Sequence, residues 1–134
     1  MKNILFLSMA VFALIASPAC KKKKGNDSNE TRLTVQTTPA AGTTDAPAPG
    51  PDFPLIVQVT SAMPPSGIKI AVTSKKDGSG GAPFFNFSQN STSASNNITI
   101  ASTPATTTCL VSITVTSLSD PNNVWNGSYR YSMK

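Results

Sequence analysis

From Phe53 to the C-terminus, apolar residues recur at every second position in short runs, and this period of two constrains the fold more than any other feature. Leu55, Val57 and Val59 form the first set, and Ile68, Ile70 and Val72 the second. Phe85 and Phe87, then Ile98 and Ile100, then Cys109, Val111, Ile113 and Val115 continue the pattern. Trp125, Tyr129, Tyr131 and Met133 close the chain in one register with Gly127, while Asn126, Ser128, Arg130 and Ser132 fall on the opposite face. Successive side chains of a strand point to opposite sides, so the alternation predicts half-buried strands. No run in this region carries the apolar stripe of an amphipathic helix.

The interruptions have turn chemistry. Met63-Pro64-Pro65-Ser66-Gly67 separates the first two runs, and Lys76-Asp77-Gly78-Ser79-Gly80-Gly81 the next two, with Asp-Gly suited to the positive φ of a hairpin. Ser102-Thr103-Pro104 and Asp120-Pro121-Asn122-Asn123 act similarly later. Six strands follow, or seven if the alternating stretch 31–37 (Thr-Arg-Leu-Thr-Val-Gln-Thr) is an edge strand. The fold class expected is all-β, an antiparallel sandwich over residues 53–134. Residues 38–52, dominated by Thr, Pro, Ala and Gly, are expected to be an extended linker without backbone pairing, because proline fixes φ and donates no hydrogen bond.

The architecture resembles an immunoglobulin or fibronectin type III sandwich. The hallmarks of the immunoglobulin family are missing: Thr107 stands two before Cys109, where a tyrosine corner would fall, and Trp125 comes too late for the core tryptophan.

The N-terminus carries a different message. Met1, Lys2 and Asn3 precede an apolar run from Ile4 to Ala16, then Ser17, Pro18 and Ala19 lead to Cys20 and four lysines, Lys21, Lys22, Lys23 and Lys24. The run is shorter than the ~20 apolar residues of a permanent span and reads as an export signal over residues 1–19. It resembles a bacterial lipoprotein signal, with Ala19 at the small position before the cysteine, although Ser17 stands where that family favours Leu. Ser17 and Ala19 also satisfy an ordinary signal-peptidase site, which would leave Cys20 as a free thiol.

The resemblance implies acyl chains on Cys20, each contributing about 0.8 kcal/mol per buried methylene. The lysines would lie among the headgroups, where each adds about 1 kcal/mol of attraction to anionic lipid, or would act as a solvated spacer. Lysine after the cysteine resembles lipoproteins sorted to the outer membrane of Gram-negative cells. Residues 20–30 would form a lipid-anchored polar tether, reaching about 30 Å if residues 31–37 join the sheet. With Cys20 lipidated, Cys109 has no disulfide partner and is expected to be a small buried hydrophobe.

Catalytic groups are sparse. The chain has no histidine, and its single glutamate, Glu30, precedes the sandwich. Asp77 and Asp120 sit in turn motifs that account for them, and no catalytic residue is assigned. The glycines after Asp77 lack the Gly-Lys-Ser/Thr ending of a phosphate loop, one carboxylate per loop makes no strong calcium site, and no metal or other cofactor is expected. From Phe53 onward Lys69, Lys75, Lys76, Arg130 and Lys134 are dispersed against Asp77 and Asp120, too weak a pattern for nucleic acid. The sequons, beginning for example at Asn86 and Asn97, arise by chance in a chain so rich in Asn, Ser and Thr.

Aromatic residues remain as candidate contacts. Trp125, Tyr129 and Tyr131 share a face that either stacks on sugar rings or covers the core, and the period they share with the other strands favours the core. Phe84 falls out of register with Phe85 and Phe87, which predicts an exposed ring at a contact surface. The expected function is a lipid-anchored, non-enzymatic cell-envelope module binding a protein or glycan partner. The alternatives are a structural envelope component without soluble ligand and, far behind, a secreted Ser/Lys hydrolase.

Overall fold

The alternating runs become strands in the computed structural model, which describes residues 29–134. Seven strands occur among the described residues: β1 (Val35–Thr38), β2 (Phe53–Val59), β3 (Ile68–Lys76), β4 (Phe85–Ser91), β5 (Ser95–Ile100), β6 (Thr108–Ser117) and β7 (Val124–Ser132). They pair antiparallel in two sheets, ordered β1-β2-β5 and β4-β3-β6-β7. The fold is an all-β sandwich. The signal segment 1–19, Cys20 and Lys21–Lys24 lie outside the described residues.

Register follows the apolar period. Ile70 stands opposite Val115, and Val72 opposite Ile113, so the same face of β3 and β6 is apolar throughout. These residues meet Leu55 and Val57 of β2 and Ile98 and Ile100 of β5 in one core. Burying each such side chain contributes on the order of 2 kcal/mol. Cys109 is buried and has no disulfide partner among the described residues, and burial raises its thiol pKa, as suits an inert core position.

Trp125, Tyr129 and Tyr131 also face inward. Both tyrosines are buried, and Trp125 packs half-buried on the core. The side chain at Gly127 is missing for a reason: a methyl group there would overlap the Trp125 ring, which lies across the strand.

Three expectations need correction. The strand anticipated over residues 31–37 pairs only from Val35 to Thr38. Leu33 is nevertheless buried, because Asn123 Oδ1 accepts its N–H at 2.8 Å and Asn123 Nδ2 donates to the Thr31 carbonyl at 3.0 Å. Phe84 is half-buried against the core, since its N–H donates to the Ser74 carbonyl at 2.9 Å and draws the residue inward.

The third correction is the largest. Residues 38–52 are no free linker, for the segment 42–48 runs parallel to β7 along its open edge. Gly42 N donates to Ser128 O at 2.7 Å, Asp45 N to Arg130 O at 2.9 Å, and Ala48 N to Ser132 O at 3.1 Å. In return Arg130 N donates to Thr43 O at 2.9 Å, and Lys134 N to Ala48 O at 3.0 Å. Prolines are tolerated because the donating positions are Gly42, Asp45 and Ala48, while Pro47 and Pro49 stand between and beyond them.

Candidate functional site

The carboxylates are kept apart. Asp77 follows β3 and Asp120 follows β6; because Lys76 pairs with Cys109 and Ile68 with Ser117, the two turns lie at opposite ends of β6, about 30 Å apart at strand rise. Asp77 accepts a hydrogen bond from Arg130 Nε at 2.6 Å, which holds its carboxyl below the usual pKa. Asp120 shapes its own turn, Oδ1 accepting from Asn122 N at 3.0 Å and its N–H donating to Ser117 Oγ at 3.0 Å. No group of three or more His, Cys, Asp or Glu side chains placed to hold a metal ion occurs among the described residues.

The open side of the sandwich lies between β4 and β5. Each ends its sheet, and a short turn, residues 92–94, carries the chain from one to the other. The strands read Phe-Asn-Phe-Ser-Gln-Asn-Ser and Ser-Asn-Asn-Ile-Thr-Ile, with neither charge nor proline. An edge strand presents unpaired N–H and C=O groups, and natural edges are commonly blunted by lysine, proline or a cover. Lys69 and Lys75, residues of the type that could guard an edge, sit on the interior strand β3. Between the two edges runs a polar cleft of about 310 Å³, where Gln89, Ser91, Ser95, Asn96 and Asn97 converge over Phe87 and Ile98.

A second cavity, of about 290 Å³, opens where the chain leaves β1 at Thr38 and crosses to β7. Its walls are Phe53, Pro54 and Ile56 of β2, Tyr129 and Tyr131 of β7, Pro39 at the crossing, and Asp45 and Ala48 of the docked segment. The Phe53 and Tyr131 rings lie 4.6 Å apart, and those of Tyr129 and Tyr131 6.1 Å apart. The Tyr131 hydroxyl is shared with Thr103 Oγ1 at 2.8 Å and Ser74 Oγ at 3.3 Å. The buried Tyr129 hydroxyl has no hydrogen-bond partner among the described residues. Burial, followed by Tyr131 and Asp45, pushes the Tyr129 phenol far above its ordinary pKa, so it stays protonated.

A third cavity, of about 420 Å³, opens beside Asn29, the first described residue, and is lined by Glu30, Met63 and Pro65. Both Glu30 carboxylate oxygens are buried without a hydrogen-bond partner among the described residues.

The sequence singled out the tyrosines and missed what surrounds them. Asp45 lay in a segment read as linker, and no local signal marks it. The bare β4 and β5 edges were hinted at only by absence, two strand runs without a charged residue. Comparison with protein-family models, with curated proteins and with solved structures returned no match.

Proposed function

We propose that this chain is a lipid-anchored, non-enzymatic module of a Gram-negative cell envelope that holds an extended segment of an envelope protein at its open side. The observation that carries the reading is the uneven treatment of the sheet edges: β7 is covered by the chain itself, and β4 and β5 stand bare beside each other. A partner strand added to β4 would satisfy its unpaired backbone groups, and the neighbouring cleft would sort side chains by hydrogen bonding through Gln89, Asn96 and Asn97. The sequence supports the anchor through the short apolar run, Cys20 and the lysines after it, and presentation from a membrane gives a binding module without catalytic groups a purpose.

The test has two arms. Capture from detergent-solubilised membranes should return a defined partner with the wild type and lose it with Ser88→Lys/Asn90→Lys, which places charge on the exposed side chains of β4. Equal capture by both proteins rejects the edge, and recovery of general envelope assembly components alone favours a structural role. Intact mass and detergent-phase partitioning of the wild type against Cys20→Ala test the anchor. A wild-type protein that is unacylated and stays in the aqueous phase rejects it.

A further inference from the structure

The cavity between β1, β2 and β7 goes beyond partner capture, because its polar groups are arranged for a ligand of another kind. We propose that it binds an organic ammonium group on a short apolar stem, with Asp45 as the counter-charge and the Phe53 and tyrosine rings as the wall.

Three observations converge on this assignment. Asp45 is half-buried at the cavity and makes no side-chain hydrogen bond or ion pair with any described residue; the nearby Arg130 is already committed to Asp77. A carboxylate only accepts hydrogen bonds, so the ligand must donate. The wall around Asp45 is mostly apolar: Tyr129 itself is 2% exposed, and its hydroxyl is closed off from solvent. Aromatic rings attract cations through the negative face of their π-systems, and three of them line this one cavity.

Competing ligand classes fit less well. An anion would meet Asp45. A sugar, with a hydroxyl on nearly every carbon, would press donors against Pro39, Ala48, Pro54 and Ile56, which accept nothing through their side chains. An alkyl stem suits those same residues, and Ile56, at 38% exposure one of the few large apolar side chains left open, would be covered.

The ammonium has two sources, a free small amine or a lysine side chain of a protein. The experiment uses the full chain in detergent and follows the Ile56 and Ala48 methyl signals by NMR while n-butylammonium is added. Saturable shifts at these residues, absent at the Ile98 methyls of the β4–β5 cleft, are expected, with butyrate and n-butanol at least roughly tenfold weaker. Asp45→Asn should weaken butylammonium roughly tenfold, while Tyr129→Phe, which keeps the ring, should change it by less than about twofold. A lysine blocked at both its termini that matches butylammonium assigns the site to a protein side chain; binding by the free amine alone assigns it to a small molecule. Butanol binding as tightly as butylammonium, an unchanged Asp45→Asn variant, or no saturable shift would each overturn the proposal. These readouts are independent of β4, so failure of the edge reading leaves this one standing, and the reverse.

Discussion

The two edges of the four-stranded sheet are treated in opposite ways. At β7 the chain returns on itself, and residues 42–48 satisfy backbone groups of Ser128, Arg130, Ser132 and Lys134. At β4, four of seven side chains are exposed, none is charged, and no segment of the described chain covers the outer side. An edge closed by the chain contributes to stability; an edge left open contributes little to it and remains available for pairing. Stability should therefore be concentrated on the β7 side and recognition on the β4 side.

The most damaging way to break this contrast is to prevent the segment from docking. Ala48→Pro removes the N–H that donates to Ser132 O, and should cost about 1–3 kcal/mol in urea unfolding while uncovering a second edge. Size-exclusion chromatography should then show association that the wild type lacks; a monomer of unchanged stability would contradict the role given to the segment.

A similar or somewhat smaller loss is expected from Gly127→Ala, because the added methyl must displace the Trp125 ring and overpacking costs about 1–3 kcal/mol. A shifted tryptophan emission maximum in the folded protein would report the displacement.

Alkaline pH sharpens the same side. Both Tyr129 and Tyr131 have raised folded-state pKa values, first of all through burial, against an ordinary value of 10.0. Above pH 10 the unfolded chain releases these protons while the folded chain keeps them, so stability falls with rising pH. The slope is ~1.4 kcal/mol per pH unit for each group until its folded pKa is reached. Unfolding midpoints measured between neutral pH and about pH 11 should fall in the wild type and fall less steeply in Tyr129→Phe.

The smallest effect belongs to β4. Ser88→Lys/Asn90→Lys should change stability by no more than about 0.5 kcal/mol, since both side chains are exposed. A large loss in thermal unfolding would mean that the open edge is structural after all.

Much of the sandwich was legible residue by residue. The alternating triads such as Leu55, Val57 and Val59 are buried as the period required, and Asp77-Gly78 turns with Gly78 at φ 71°. Phe84 was misplaced because a hydrogen bond to Ser74 in the neighbouring strand, not its own register, sets its depth. The alternation around Leu33 points to a strand, whereas Asn123, ninety residues away in sequence, holds it in place. The candidate cavity was half legible: the tyrosines stood out, and Asp45 did not, since nothing within a Thr/Pro/Ala/Gly-rich run says which edge it will lie against.

By itself the sequence determined the strands from Phe53 onward, which face of each is apolar, and where the chain turns between them, because side-chain alternation and turn chemistry act over a few neighbouring residues. Only the tertiary structure decided that residues 42–48 close the β7 edge, that β4 and β5 stay open, and that Asp45 and Tyr129 line one cavity. The physical reason is that any backbone N–H can bond any carbonyl. Which partner it takes depends on how the two sheets stack and on the path the chain has left, and no local pattern records that.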